Sequence, residues 1–359
     1  MSVLFIGKRF YTNRDALRER YGRIYQLPWH WSKTGISTRL WLVDYHTREE
    51  VTQNDDGLEI VSTPVRNFSV IRRYFEESRS PTSATKPDAV VASGDCYIGL
   101  LAYRVAKRLR ARFVFDVYDK YDEFSGYRRL PGFDPLSFLL RHADSRLFAS
   151  RALMEHVGHD PQRDFIVPNG IDTQRFRPRD MASSRAALGL PETARFAGYF
   201  GSMDEDRGID DLLTAHQKLR ETGFDLQLLL GGKPRKGLNL GREGVRYLGN
   251  LAYEDVPQAM ACCNVLVLPY RRSTYLDMAS SCKIAEYMAV QRPIVATRTP
   301  NLVVNFRTQV AELGGLLAAP GDPNDLARVL REQCALRRVV TTPEGVDWRA
   351  IATRSIPFA

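Results

Sequence analysis

The sequence predicts an α/β protein made of two doubly wound domains. Three observations carry that expectation. Short, continuous runs of Val, Ile, Leu and Phe recur along the chain. Stretches with the 3.6-residue period of a helix lie between many of them. The alternation breaks once, at 177–193, and then restarts. Continuous apolar runs suit strands covered on both faces of a parallel sheet, and strand–helix alternation is the mark of a doubly wound domain.

In the first half, strands are expected at 2–7, 39–45, 58–64, 89–94, 112–119, 145–150 and 165–168. The stretch 97–110 puts Ile98, Leu101, Ala102, Val105 and Leu109 on one helical face. Residues 79–87 are a polar Pro/Ser/Thr loop. The polar, Pro-bounded stretch 177–193 is the expected linker, with the boundary in 175–192. Beyond it, strands are expected at 195–201, 225–230, 245–248, 264–269 and 293–297, and helices at 209–221, 254–261, 282–290 and 323–334. The domains are therefore read as 1–178, 179–340 and a C-terminal segment 341–359. Loops after the strands, at the carboxyl ends of both sheets, are where chemistry is expected.

Composition narrows the classes. At 359 residues the chain has room for two domains, and 44% hydrophobic content is enough for packed cores. The net charge is +9, and residues 1–180 carry 29 basic against 23 acidic side chains, so the first half is the more basic. That excess suits phosphates, acidic lipid surfaces or nucleic acid alike. The five cysteines, Cys96, Cys262, Cys263, Cys282 and Cys334, are odd in number and lack CxxC spacing, which argues against disulfide or zinc scaffolding and for a reducing compartment. The opening MSVLFIGKRF reads as a first strand rather than a targeting segment. No window reaches the ~18 apolar residues of a membrane helix. The expectation is a cytoplasmic protein, or one at the inner face of a membrane without crossing it.

Two loops carry the chemistry. After the strand ending near Pro269 and Tyr270, a helix is expected to begin at Ser280–Ser281. Serine is a favoured N-cap, and the amide-rich positive end of a helix can bind a diphosphate. Lys283 and Glu286 then lie three residues apart on one face. Lys283 can neutralise a phosphate, and Glu286 can accept from both ribose hydroxyls. After strand 195–201 comes Gly201-Ser202-Met203-Asp204-Glu205-Asp206-Arg207-Gly208, a glycine turn with Arg207 and a second glycine before a helix. Arg207 can grip an anion bidentately.

These residues resemble a known family, the glycosyltransferases of family 4. Val167-Pro168-Asn169-Gly170-Ile171-Asp172 with Phe176-Arg177-Pro178 is similar to its interdomain signature, and Gly201 to Gly208 to its donor-diphosphate loop. Ser280-Ser281-Cys282-Lys283-Ile284-Ala285-Glu286-Tyr287-Met288-Ala289, with Pro293-Ile294-Val295-Ala296-Thr297, resembles a surface-polysaccharide variant of its second motif. Trp348-Arg349-Ala350-Ile351-Ala352 looks like its closing helix, which crosses back to the first domain. The resemblance covers about 165–350 well and the first half loosely.

The resemblance implies a GT-B fold of two facing Rossmann-like domains with a cleft between them. It also implies a UDP- or GDP-sugar as substrate, no cofactor or metal, and retaining transfer to a glycan or lipid-linked saccharide in cell-surface polysaccharide synthesis. The implied catalytic residues are Arg207, Lys283, Glu286, Asp119 and Tyr118; the donor-binding residues are Gly201, Ser202, Arg207, Ser280, Ser281, Lys283 and Glu286. Some positions depart from the pattern. Met278 stands eight residues before Glu286, where the family has an acid, with Asp277 beside it. Ser202 replaces an arginine, Gln291-Arg292 precede Pro293, and Tyr118 stands where a histidine is usual.

On the acceptor side, Lys8-Arg9-Phe10-Tyr11-Thr12-Asn13-Arg14-Asp15 is followed by an expected helix carrying Arg18, Arg20, Tyr21, Gly22 and Arg23, then Trp29-His30-Trp31. Tyr127-Arg128-Arg129-Leu130-Pro131-Gly132-Phe133 repeats the mix of basic and aromatic residues. Such a face suits an anionic membrane surface; no nucleic-acid motif accompanies it. Three rivals remain. An NAD-dependent oxidoreductase needs a G-x-G-x-x-G that 5–12 lack. A nucleotide-sugar 2-epimerase shares the architecture, and a non-catalytic nucleotide-sugar-binding partner fits the departures.

Overall fold

In a computed structural model of the chain, which describes residues 1–11, 14–79, 86–124 and 126–356, the molecule divides into two compact units. The first comprises Met1–Gly170, Met278–Ser280 and Gly345–Ala359, the second Ile171–Asp277 and Ser281–Glu344.

Unit 1 is built on β1 (Ser2–Lys8), the small antiparallel pair β2 (Phe10–Tyr11) and β3 (Arg14–Asp15), β4 (Ser37–Asp44), β5 (Val51–Asp55), β6 (Leu58–Pro64), β7 (Ala89–Ser93), β8 (Arg112–Val117), β9 (Ser145–Phe148) and β10 (Asp164–Ile166). Its main sheet runs β10-β9-β8-β7-β1-β4-β6-β5, parallel except for the antiparallel edge strand β5. β7 is buried at every position and β1 at its five central ones, as the continuous apolar runs require. β5, with the polar sequence VTQND, has no such run and is legible only through its partner β6.

The order of strands turns back between β1 and β7, so the loops after these two strands leave the sheet side by side. Gly94 shows how tightly: at φ +141°, a Cβ there would lie 2.7 Å from Lys8 Cβ. The helix Cys96–Leu109 then starts on Asp95, whose carboxylate accepts from the amides of Tyr97 and Ile98. It buries Ile98, Ala102, Val105 and Leu109, with Leu101 half-buried.

The helix expected to carry Arg18 to Arg23 begins only at Arg23 and runs to Lys33, preceded by Gly22 at φ +73°. Arg18, Arg20 and Tyr21 therefore lie ahead of it. Arg23 and Trp31 point inward and are fully buried. Trp31 Nε1 donates to the carbonyl of Ala352 on the helix Trp348–Arg354, which belongs to the same unit. Gly170 makes room for that helix, because a Cβ there would sit 2.6 Å from the Trp348 ring.

Unit 2 contains β11 (Phe196–Phe200), β12 (Gln227–Gly231), β13 (Val245–Tyr247), β14 (Val265–Leu268), β15 (Ile294–Thr297) and β16 (Leu317–Ala318), all parallel in the order β13-β12-β11-β14-β15-β16. The order turns back between β11 and β14. The helices Ile209–Glu221 and Pro323–Leu336 pack on one another.

Two expectations need correction. The stretch 177–193 is not a bare linker. It lies inside unit 2 and holds a helix, Met181–Ala187, started by Asp180. Its Arg185 is buried and donates to Cys262 O at 2.9 Å and Asn264 Oδ1 at 2.8 Å, so a basic residue docks the segment. The chain passes between units after Gly170 instead. Of the loop expected at 79–87, residues 80–85 lie outside the described residues, as do Thr12 and Asn13.

Candidate functional site

At the turn-back point of unit 2, the loops after β11 and β14 meet. Gly208 is the contact. At φ +68° it ends the short turn Glu205–Arg207 and starts the helix Ile209–Glu221, and a Cβ on it would lie 1.7 Å from Pro269 O. Ionic and hydrogen bonds fix the same two loops. Arg271 grips Asp211 with two bonds of 2.6 Å, its amide donates to Asp206 O, and Ser273 Oγ donates to Asp206 Oδ2 at 3.2 Å.

Four side chains stack in this corner. The Lys283 ammonium lies 4.4 Å from the Tyr199 ring centroid and 5.9 Å from that of Tyr270. The Arg207 guanidinium lies 5.3 Å from the same Tyr270 ring. One aromatic ring thus carries two cations, an arrangement that eases their mutual repulsion. Lys283 Nζ also donates to Tyr199 Oη at 3.0 Å, and Tyr199 Oη donates to Ser202 O at 2.6 Å. Gly201, at φ +143°, leaves space for the ammonium: a Cβ there would come within 2.0 Å of Nζ.

Burial, and then the charge of Arg207, hold the Lys283 ammonium below its ordinary pKa, against the opposing pull of Tyr270 and Glu286. Burial also works against the Arg207 charge, but Tyr270, Tyr199 and Asp206 outweigh it, so the guanidinium stays charged. Burial raises the Tyr270 phenol, and the charges of Lys283 and Arg207 more than reverse this, so its pKa falls below the ordinary value. Two half-buried cations beside one another form a site suited to an anion, with electrostatics stronger than in open water.

Glu286 lies one turn beyond Lys283 on the helix Cys282–Ala289 and is buried; its Oε1 accepts from Tyr253 Oη at 3.0 Å. Ser281 occupies the N-cap position, yet its side chain makes no capping bond there. The expected hydroxyl cap is therefore absent. Ser280 is not at the helix start at all. It belongs to unit 1, where Asn169 N donates to its Oγ at 3.2 Å and Asn169 Nδ2 to its carbonyl at 2.9 Å. Asp277, considered as the substitute for the acid missing at Met278, is held by Arg272 Nε at 2.7 Å. Met278 packs on the core of unit 1.

In unit 1, Tyr118 and Asp119 follow β8. Tyr118 is buried, its Oη donates to Gly94 O at 3.2 Å, and its ring meets Tyr11 and Tyr121 edge-on. Burial pushes its hydroxyl well above its ordinary pKa. Its side chain is packed in the core of unit 1. Asp119 is buried and accepts from the amide of Lys120 at 2.9 Å. Beside them, Arg23 makes a fully buried pair with Asp116, at 2.7 and 2.9 Å, and also reaches Val167 O and Asn169 Oδ1.

Of the basic and aromatic residues considered for membrane docking, some are packed inward, while Arg18, Arg20, Arg128, Arg129 and Leu130 are exposed. Arg9 is buried between Asp15 and Asp44, Arg23 and Trp31 are in the core, and Tyr127 Oη is bonded to Asp134. A second exposed apolar group lies apart from these: Phe68 is 78% exposed, and Ile71 and Phe75 follow on the helix Ser69–Ser78. No helix among the described residues is long and apolar enough to cross a membrane.

Sequence reading missed three tyrosines of the site. Tyr199 and Tyr270 read as strand residues, and Tyr253 stands in an unremarkable loop. The available signal was that two of them end the strands flanking the turn-back point, where ligands bind in open α/β sheets.

Residues 194–335 match the family model for glycosyl transferases group 1, a segment that contains Gly201, Arg207, Tyr270, Lys283 and Glu286. The fold is the two-domain α/β GT-B arrangement. Sucrose-phosphate synthase from Thermosynechococcus elongatus superposes with a TM-score of 0.70 at 17% identity, covering 98% of this chain and 96% of that one. Anabaena HepE in complex with UDP gives 0.67 at 16% identity, covering 100% and 96%.

Among curated relatives, the D-inositol 3-phosphate glycosyltransferase of Geodermatophilus obscurus is 28% identical over 212 residues, 54% of this chain and 45% of that protein. A GDP-mannose-dependent monoacylated alpha-(1-6)-phosphatidylinositol monomannoside mannosyltransferase of Corynebacterium glutamicum is 26% identical over 150 residues, 38% of this chain and 37% of that protein. The matched part spans less than half the length of these two relatives.

Proposed function

We propose that the protein is a glycosyltransferase that takes a sugar from a UDP- or GDP-sugar, with the diphosphate held in unit 2 by Arg207, Lys283 and the start of the helix Cys282–Ala289. The observation that carries this reading is the pair of half-buried cations stacked on Tyr270 beside Gly201. Glu286, fixed by Tyr253, accepts from the ribose hydroxyls. As the sugar–phosphate bond breaks, negative charge grows on the departing diphosphate, and two preorganised cations stabilise it without reorganising. The departing phosphate oxygen takes the proton of the attacking hydroxyl, which gives same-face substitution and a retaining outcome.

The donor class is supported by what related proteins bind: HepE structures hold UDP and UDP-glucose, and the Corynebacterium enzyme uses GDP-mannose. We assign it to family 4 on the motif resemblance, with a glycan or lipid-linked saccharide as acceptor, in cell-surface polysaccharide synthesis and at the inner face of the membrane. Any contact with an anionic membrane falls to the Phe68, Ile71 and Phe75 stripe with Arg66 and Arg79, not to Trp29 and Trp31. Flotation with anionic vesicles tests that assignment: Phe68→Ser with Phe75→Ser must abolish it.

The test of the main reading is a panel of UDP-, GDP-, ADP- and dTDP-sugars incubated without acceptor. Slow release of one nucleoside diphosphate is expected. Release of none, with no transfer to any saccharide acceptor, overturns the assignment.

A further inference from the structure

The Tyr270 hydroxyl is the group the site leaves unexplained. Tyr270 is 1% exposed, and its Oη makes no hydrogen bond of ordinary geometry among the described residues. Its polar neighbours are the Lys283 ammonium, the Arg207 guanidinium and the Ser281 hydroxyl. The two cations are donors only. Arg207 Nε, in the same corner, likewise makes no hydrogen bond, with Asp206 Oδ1 3.7 Å away. The Ser281 hydroxyl can accept, but it makes no bond of ordinary geometry to Oη; a buried O–H left unbonded is costly, and such groups in folded proteins call for a partner.

Two states relieve this. Either an acceptor arrives from outside, or the phenol loses its proton and becomes the counter-anion of its two cations. A phosphate oxygen satisfies the first, since it can accept from the phenol, from Arg207 Nε and from Lys283 together. The second is the state of the empty site at high pH.

We infer that Tyr270 is a third direct contact of the donor diphosphate, its hydroxyl donating to a phosphate oxygen, and that binding therefore keeps a proton on this phenol. The inference rests on the diphosphate reading of the site. In the empty protein at high pH, a phenolate at Tyr270 is the counter-charge of Lys283 and Arg207. A diphosphate brings its own negative charge, the phenolate is repelled, and Oη takes one proton from the buffer as it forms its bond to phosphate. The groups acting on Tyr270 are Tyr199 on β11, Arg207 in the loop after it, and Ser281, Lys283 and Tyr287 at and on the following helix; Asp204 and Asp206 act on Tyr199, Asp206 and Tyr275 on Arg207, and Glu286 on Lys283. Arg207 stays charged, so the pull on the phenol persists whether or not Lys283 titrates.

The experiment uses UDP and GDP as probes on the intact protein and on Tyr270→Phe, Tyr270→Leu and Tyr199→Phe. Tyr270→Phe keeps the ring under both cations and removes only the hydroxyl. Its expected effect is a roughly 10- to 100-fold loss of affinity, the size of a hydrogen bond to a charged acceptor. Tyr270→Leu, which also removes the ring, loses more. The wild-type minus Tyr270→Phe difference spectrum should show one tyrosinate forming below the ordinary tyrosine pKa of about 10, and saturating UDP or GDP should move it upward. Calorimetry in buffers of different ionisation heat should find proton uptake on binding at alkaline pH in the wild type and less in Tyr270→Phe. If the wild type binds a nucleoside diphosphate and Tyr270→Phe binds it equally, with unchanged proton uptake, the inference is overturned while the site reading stands. If the wild type binds neither UDP nor GDP, both fall.

Discussion

Gly201 leaves the space that the Lys283 ammonium fills: a single added carbon on Gly201 would lie 2.0 Å from the lysine Nζ. The obstacle is the end of a flexible side chain, so Gly201→Ala should displace the ammonium more than it disturbs the fold. The left-handed φ of +143° adds about 1–3 kcal/mol of backbone strain. We expect a folded variant with UDP or GDP affinity reduced about tenfold or more, read by calorimetry. Unchanged affinity would show that the ammonium does not need that space.

Gly208 gives the opposite outcome. Its added carbon would meet the backbone carbonyl of Pro269 at 1.7 Å, which cannot swing aside. Gly208→Ala should therefore separate the loops after β11 and β14. The expected result is a fall in Tm of several degrees together with lost nucleotide binding, measured by thermal unfolding with and without UDP.

In unit 1, Asp116→Asn leaves the Arg23 guanidinium fully buried without its anion. Removing one partner of a buried ion pair costs about 3–5 kcal/mol. Urea unfolding should show that loss in unit 1, and because the pair is out of water it should be nearly insensitive to added salt.

The pH dependence of stability carries a sign. In the folded protein Lys283 and Tyr270 both lose their protons below the ordinary pKa values of about 10.4 and 10. Between the folded and unfolded values the unfolded chain binds more protons, so their joint contribution to stability rises with pH through that window and is lacking below it. The stability difference between wild type and Tyr270→Phe with Lys283→Met, measured by denaturant unfolding, should therefore shift in favour of the wild type as pH climbs through that window towards 10.

The double-wound character of both units was legible because parallel strands covered on both faces leave continuous apolar runs, as in β1, β7 and β11. β5 was not, since an edge strand exposed on both sides has no reason to be apolar. The helix start at Arg23 was misplaced because Arg23 is a core residue: a buried arginine looks like a surface one until its partner Asp116, 93 positions away, is known. At the site, Arg207, Lys283 and Glu286 could be proposed from motif spacing. The cluster around Tyr270 could not, because the stacking of Arg207 on Tyr270 and of Lys283 on Tyr199 joins positions 63 and 84 residues apart and has no local signature. Ser281 illustrates the converse, a residue of the right type at the N-cap whose side chain makes no cap.

Glu286 separates ribose recognition from diphosphate recognition. Wild type should bind UDP or GDP more tightly than the corresponding 2′,3′-dideoxynucleotide, by about tenfold or more for a carboxylate accepting two hydroxyls. Glu286→Ala should erase that preference while keeping binding of the dideoxy form. A preference that survives the substitution would place the ribose elsewhere.

The central claim, that two stacked cations in unit 2 hold a nucleoside diphosphate, is tested most directly by titrating UDP, GDP and the matching monophosphates into wild type, Arg207→Ala and Lys283→Ala. The account predicts that wild type binds one diphosphate at least tenfold more tightly than its monophosphate, and that each substitution removes most of this difference. Equal binding of mono- and diphosphate by the wild type, or a preference untouched by both substitutions, would contradict it.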